Sequence, residues 1–138
     1  MPTSRANTSP KTLAVAAARA ASDKKASDVV VLGVGELIVI TDYFVIASGA
    51  TERQVRTIAD AVERALAAKG LKPLRREGIE QGRWVLLDFA DIVVHVFTAE
   101  ERDYYELERL WKDAPRIAWE EPARTGSRRT GASRDRSG

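Results

Sequence analysis

Apolar positions along this chain repeat with helical spacing in some stretches and with strand-like spacing in others. Residues 29–34 are a continuous apolar run, which is typical of a strand covered on both faces. Residues 43–48 are a second run of β-branched and aromatic residues. Before them, residues 11–25 are rich in alanine and predict a helix with one face formed by Leu13, Ala16, Ala17 and Ala20.

A second helix has the clearest boundaries in the pattern. Thr51 and Gln54 have the spacing of a capping box, in which the two side chains satisfy backbone amides of the first helical turn. Gly70 has the position of a residue that ends a helix. Between these ends, one stripe of apolar side chains has helical spacing and is formed by Val55, Ile58, Ala59, Val62 and Leu66.

The following segments predict a third strand, at residues 72–77, and then a hairpin. Residues 83–89 and 91–97 are largely apolar on both faces, and Ala90 and Asp91 lie at the turn between them. Strands that are apolar on both faces are expected in the interior of a sheet or under other elements.

A capping pattern at residues 98–101 predicts a last helix at residues 99–112. The complete order is then αββαβββα. It predicts an α/β fold in which a mixed β-sheet of about five strands is flanked by helices.

Composition divides the chain into three parts. We expect a disordered N-terminus at residues 1–10, one α/β domain at residues 11–113, and a flexible arginine-rich tail at residues 114–138. The tail has six arginines against three acidic residues, while the whole chain has a net charge of only +2. The basic charge therefore belongs to the tail, and the domain is not expected to carry the basic face of a folded nucleic-acid reader.

Several classes of chemistry are excluded by composition. The chain has no cysteine and a single histidine, so disulfides, thiolate chemistry and histidine pairs that hold metals are absent. No apolar run is long enough to cross a bilayer, and no secretory signal is evident. We expect a cytoplasmic protein that uses no metal and no cofactor and has no membrane partner.

Few residues offer catalytic chemistry. His95 has strand spacing to Val93 and Phe97, which favours a packed histidine over a pH sensor. Asp88 and Asp91 flank the hairpin turn, where aspartates commonly hydrogen-bond their own backbone. This interpretation is favoured over a catalytic carboxylate pair.

The sequence Gly33-Val34-Gly35 after a strand is a weak hint of a phosphate loop, because the third glycine and the following helix are missing. No nucleophile elbow or Walker sequence is present. An enzyme is therefore not expected. The alternative is a nucleotide-binding or nucleotidyltransferase-like enzyme, which would need acid pairs near Gly33 to Gly35 or near Ser48 and Gly49, and the sequence does not provide them there.

The last helix has more aromatic surface than one buried face can use. Its large apolar groups spread over about 220° of the helical wheel, whereas roughly 100° suffices to face one core. Trp84 in the neighbouring hairpin is another large side chain that is rarely buried completely. Tyrosine and tryptophan are enriched at interface hot spots. The pattern favours a docking surface, although rings that simply close the core remain the alternative.

Several separated motifs, in order, resemble the ribosomal silencing factor family, also called RsfS or Iojap. The resemblance covers residues 13–113. The matching stretches are Lys25-Ala26-Ser27-Asp28-Val29-Val30-Val31-Leu32, Thr41-Asp42-Tyr43-Phe44-Val45-Ile46, Gln54-Val55-Arg56-Thr57-Ile58-Ala59-Asp60, Glu77-Gly78, Gly82-Arg83-Trp84-Val85-Leu86-Leu87-Asp88-Phe89, His95-Val96-Phe97 and Tyr105-Glu106-Leu107-Glu108-Arg109-Leu110-Trp111.

This resemblance implies a function that the spacing of residues does not. Members of the family bind the large ribosomal subunit through ribosomal protein uL14, block joining of the small subunit, and lower translation when nutrients are short. Their fold has a nucleotidyltransferase-like topology without the catalytic acids. Members are often homodimers in isolation and are thought to bind the ribosome as monomers.

The resemblance also implies which residues meet the ribosome. The expected contact residues are Trp84, Tyr105, Leu107, Glu108 and Trp111. The expected supporting residues in the same motifs are Asp88, His95 and Phe97, with Glu77 and Gly78 as weaker candidates.

The sequence departs from the family pattern in four places, one of which is the run from Gly49 to Glu52, where Thr51 preserves the helix cap. Gly33 stands where an aspartate is usual, which puts any role of that acid in doubt. Ala90 replaces the usual turn glycine, which is unfavourable if the turn needs a positive φ. The arginine-rich tail lies outside the common pattern, and we consider both a weak, salt-dependent rRNA contact and a solvated tail without a role.

Overall fold

The structure is a computed structural model that describes residues 9–37, 40–105 and 112–120, without the side chains of residues 103–105. The described elements follow the predicted order αββαβββα. They are α1 (Pro10–Asp23), β1 (Ser27–Gly33), β2 (Tyr43–Gly49), α2 (Glu52–Ala67), β3 (Arg75–Glu77), β4 (Trp84–Asp88), β5 (Ile92–Thr98) and α3 (Ala99–Tyr105).

The strands form one sheet in the order β1-β2-β5-β4-β3. The β2–β5 pair is parallel and the other three pairs are antiparallel. This arrangement confirms the predicted mixed sheet of five strands flanked by helices. The hairpin strands are interior, as their apolar faces indicated, since β5 lies between β2 and β4.

Helix α1 begins earlier than predicted and buries a different face. The Ser9 side chain caps the helix by accepting a hydrogen bond from the backbone N–H of Thr12, and Pro10 occupies the first turn, where its missing N–H costs nothing. Ala16 and Ala20, predicted on the buried face, lie only at its margin. The buried residues are Leu13, Ala14, Ala17, Ala18 and Ala21. Because alanines occur all around this helix, the sequence does not indicate which face is buried, and packing against the rest of the domain determines it.

Helix α2 agrees closely with its prediction. Thr51 accepts the backbone N–H of Gln54, while the Gln54 side-chain oxygen reaches the N–H of Ala50, one residue before the N-cap, at 2.7 Å. The helix ends at Ala67, and Gly70, with a φ of +86°, lies in the turn that follows. The buried stripe is the predicted one, with Val55, Ile58, Ala59, Val62 and Leu66.

The two faces of the sheet carry different clusters of buried residues. The face toward α1 and α2 holds the larger core cluster. The opposite face carries a second cluster of buried residues, formed by Val30, Leu32, Val34, Phe44, Ile46, Phe97 and Ala114. Trp84 and Val93 are partly buried against this second cluster.

Strand β3 is shorter than predicted, with three residues instead of six. Pro73 lacks an N–H and does not support a regular ladder at the start of the predicted segment. Leu74 still donates its N–H to Asp88 before β3 begins.

Residues 114–120, which the sequence assigned to a flexible tail, instead lie along β1. The N–H of Ile117 donates to the carbonyl of Val31 at 2.8 Å, and the Trp119 indole donates to the carbonyl of Val29 at 3.1 Å. Ala114 is buried, and Ile117 and Trp119 pack against the larger core cluster. The two large side chains offset the entropy of ordering this segment. Residues 121–138 lie outside the described part of the chain.

Candidate partner-binding face

Strand alternation places four of the candidate residues on one face of the sheet. In the β4–β5 hairpin, Trp84 is paired with Phe97, Leu86 with His95, and Asp88 with Val93. Directly opposed residues of neighbouring strands share a face, and so do alternate residues along a strand. Trp84, Asp88, His95 and Phe97 therefore lie on the face that carries the second core cluster. We call this side of the sheet the aromatic face.

Trp84 is partly buried at the start of β4 and is held by two ring contacts. It stacks on Phe97 with ring centroids 4.8 Å apart and planes inclined by 30°. Its indole Nε1–H donates a hydrogen bond to Nδ1 of His95 at 3.2 Å. Because indole nitrogen has a single hydrogen, this bond uses the only polar group of the ring.

His95 is buried beneath the aromatic face, with 6% of its surface exposed. Its ring meets Phe44 edge-on at 5.0 Å and is parallel to Phe97 at 6.2 Å. Burial lowers the pKa of His95 from 6.5 to about 4, because the charged ring would lose its hydration. The ring is therefore neutral at pH 7. Since Nδ1 accepts a hydrogen bond, the proton resides on Nε2, which has no hydrogen-bond partner among the described residues.

Asp88 bonds the backbone of the hairpin turn, as its position in the sequence predicted. One carboxylate oxygen accepts the backbone N–H of Ala90 at 2.9 Å, which is the local bond expected of a turn aspartate. The other is 3.4 Å from the Arg75 guanidinium, and Arg75 also contacts Glu77 at 2.8 Å. Such exposed ion pairs contribute little to stability.

The structure describes little of the predicted contact residues at the end of the last helix. Tyr105 ends the described part of α3, and its side chain is not described. Leu107, Glu108 and Trp111 lie outside the described residues. The structure thus brings together Trp84, His95 and Phe97, with Asp88 at the far end of the same strand.

A buried arginine, Arg102, lies on the aromatic face and was not expected from the sequence. The Arg102 guanidinium, on α3, donates to the side chain of Ser48 at 2.8 Å and to the backbone carbonyl of Asp28 at 2.6 Å. It ties α3 to β1 and β2. One signal was available, since Ser48 is a polar residue in strand alternation with Phe44 and Ile46 and so needed a buried partner.

A groove of about 540 Å³ lies at the opposite end of β1, beside Gly33 and Gly35. The chain folds three carboxylates into its lining, from Glu36, Asp42 and Asp113. Glu36 directly follows Gly35 and Asp42 lies six residues further along, whereas Asp113 comes from the other end of the domain, so folding brings the three together. However, no three His, Asp or Glu side chains among the described residues are arranged to hold a metal ion.

Within the described ranges, no helix is both long and apolar enough to span a membrane.

Comparison with known proteins places the chain in a family. Residues 6–137 match the family model described as ribosomal silencing factor during starvation, RsfS. The chain belongs to this family of ribosome-directed regulators of translation.

Individual relatives agree. The chain is 46% identical over 104 residues to a ribosomal silencing factor from Halalkalibacterium halodurans, covering 75% of this chain and 89% of that protein. It is 41% identical to the one from Bacillus subtilis, covering 76% and 89%. A crystal structure of a Chromobacterium violaceum protein superposes with a TM-score of 0.74 at 34% identity, covering 76% of this chain and 88% of the other. These matches confirm the family and the fold expected from the sequence.

Proposed function

We propose that this protein binds the large ribosomal subunit through ribosomal protein uL14 and sterically blocks association with the small subunit, which represses translation under nutrient limitation. Membership of the silencing-factor family supports a ribosomal partner. The mechanism needs occupancy of a surface and no chemical turnover, and we propose that the protein is not an enzyme and needs no cofactor.

One observation carries the choice of surface, which is the partly buried Trp84 ring stacked on Phe97. Tryptophan in such a position supplies a large apolar area at little entropic cost, as interface hot spots do. His95 and Phe97 are buried and support the ring from below. Asp88 holds the hairpin turn at the end of β4.

We further propose that the end of α3 and the residues that follow it complete this contact. Tyr105 is the last described residue of α3, and Leu107, Glu108 and Trp111 follow it closely in sequence. Helix α3 itself is anchored to the aromatic face by Arg102. The same face would serve a homodimer in the free protein, so that ribosome binding and self-association would compete. The arginine-rich tail would add a weak rRNA contact, and the protein would act in the cytoplasm, where ribosomes assemble.

Co-sedimentation with separated ribosomal subunits tests the proposal. The protein should pellet with the large subunit and not with the small one. Trp84→Ala should weaken this binding about thirtyfold, because truncation at a hot spot costs roughly 2 kcal/mol. Ile40→Ala is the matched control, since it removes an apolar side chain that is 82% exposed in the β1–β2 connection, at the end of β2 opposite the one next to Phe97 and Trp84. Equal binding of the Trp84 variant and the unaltered protein would refute the surface assignment.

The second candidate function is nucleotide binding in the groove beside Gly33 and Gly35. The size of this groove is the one observation that favours it, and its three carboxylates would repel nucleotide phosphates unless a magnesium ion lay between them. Calorimetry with ATP and magnesium addresses it directly. Saturable binding that is lost in an Asp42→Asn variant would support this function. The absence of binding heat would count against it and leave docking as the remaining proposal.

A further inference from the structure

The hydrogen bond between Trp84 and His95 restricts how the indole can meet a partner. Stacking on Phe97 sets the plane of the ring but is compatible with a flip about the Cβ–Cγ bond that exchanges the two edges of the indole. A hydrogen bond is directional, and the 3.2 Å contact from Nε1 to His95 Nδ1 selects one orientation of the ring. Together the two contacts determine the plane of the indole and which of its edges faces His95.

We propose that His95 is a positioning residue for docking, which holds the Trp84 indole so that the ring presents only carbon atoms to an apolar pocket of the partner. This inference rests on the proposed ribosomal function and adds a role for His95 and a chemistry for the pocket. The indole has one donor and no acceptor, and the donor is already bonded inside the domain. A partner that supplied its own acceptor for this N–H would have to break an existing bond.

The placement of His95 suits this role. The ring is buried between Phe44 and Phe97, so its own position is fixed by packing. An acceptor at Nδ1 requires the neutral ring with the proton on Nε2, and the buried environment maintains the neutral form. A charged ring would direct an N–H at the indole N–H and abolish the bond.

Nuclear magnetic resonance of the unaltered protein tests the hydrogen bond without any substitution. The chain has one histidine and three tryptophans, so the imidazole signals are unambiguous, and Trp84→Phe identifies the indole signal. We expect the Nε2–H tautomer at neutral pH and scalar coupling between the indole nitrogen and Nδ1. The Nδ1–H tautomer or a charged ring would overturn the proposal.

Binding measurements test the positioning role. His95→Phe keeps an aromatic ring but removes the acceptor, and it should weaken binding to the large subunit about fivefold, the equivalent of one hydrogen bond. In a Trp84→Phe background the same change should have no further effect, because no indole N–H remains to be held. Trp119→Phe is the matched control, since it removes an indole N–H that donates to Val29 on β1.

The outcomes separate the two proposals. If the unaltered protein does not sediment with the large subunit, the proposed function fails. If it does, but His95→Phe weakens binding equally with tryptophan or phenylalanine at position 84, His95 has only a packing role and the inference is overturned. Should His95→Phe fail to fold, the Nδ1–H tautomer or a missing nitrogen–nitrogen coupling in the unaltered protein would still overturn the proposal.

Discussion

The backbone of Gly78 lies directly against the carbonyl group of Trp84. A Cβ atom added at Gly78 would overlap the Trp84 carbonyl oxygen, and Gly78 also has a φ of +82°, a conformation that favours glycine. The loop between β3 and β4 therefore packs onto the residue that begins the aromatic face. The absence of a side chain at Gly78 allows the loop to approach Trp84 this closely.

Gly78→Ala should destabilise the fold by about 3 kcal/mol, from left-handed backbone strain together with steric overlap. Gly70→Ala separates the two causes. Gly70 has a φ of +86°, but an added Cβ would meet nothing within 4 Å, so this variant should lose only about 1 kcal/mol. Urea unfolding of both variants measures the difference. Equal losses would show that the overlap with Trp84 relaxes freely.

The elements that the sequence predicted well are those with redundant local signals. In α2, a side-chain cap, a helical apolar stripe and a terminal glycine all agree, and the structure matches them. In α1 the alanines mark a helix without distinguishing its faces, so the predicted buried face was partly wrong. The segment at residues 114–120 was misassigned because its apolar Ile117 and Trp119 are isolated in a polar sequence, and only β1 gives them a place to pack.

The aromatic face was predictable in part for the same reason. Alternation along β5 gives the shared face of His95 and Phe97 from sequence alone, whereas the place of Trp84 beside them follows from the observed register with β4. The bond from the indole to His95 was not predictable, since it depends on the register between the two strands. The link from Arg102 to Ser48 joins residues 54 positions apart and needed the full topology.

Ala90→Gly should stabilise the protein by about 1 kcal/mol. Ala90 has a φ of +74° at the hairpin turn, which confirms the positive φ considered from the sequence, and an alanine pays about 1–2 kcal/mol there. Glycine avoids this strain but gains freedom in the unfolded chain, so only part of the cost is recovered. Thermal unfolding should show a higher midpoint. Ala50→Gly, in a loop without a positive φ, should lower it instead. An Ala90→Gly midpoint at or below that of the unaltered protein would contradict the interpretation.

Stability should fall in acid through His95. The pKa of this ring is 6.5 when exposed and about 4 in the fold, where burial opposes its charge. The unfolded chain therefore binds the proton first as the pH drops. The stability that comes from keeping His95 neutral is fully present above pH 6.5, declines between pH 6.5 and about 4, and is lost below that range. Its size is about 3 kcal/mol at 1.36 kcal/mol per pH unit.

Urea unfolding across this range, compared with His95→Phe, isolates the effect from the carboxylates that titrate in both proteins. The unaltered protein should lose more stability than the variant between neutral pH and pH 4. Parallel pH profiles would mean that His95 is hydrated, or charged, in the folded protein.

Two truncations distinguish the packed segment from the arginine-rich tail. Ending the chain after Asp113 removes Ala114, Ile117 and Trp119 from the core and uncovers the outer edge of β1. We expect a loss of about 3 kcal/mol and a tendency to aggregate through the exposed strand edge. Ending it after Glu120 keeps these contacts, and the unfolding midpoint should not change.

The truncation after Glu120 also tests the rRNA contact, because the residues 121–138 that it removes hold five arginines against two acidic residues. If the tail touches rRNA, its removal should weaken large-subunit binding slightly and make the remaining affinity less sensitive to salt, since fewer counterions are released on binding. An unchanged salt dependence would make the tail a solvated extension. A complete loss of binding would show that the tail, and not the aromatic face, makes the main contact with the ribosome. The Trp84→Ala variant would then bind normally.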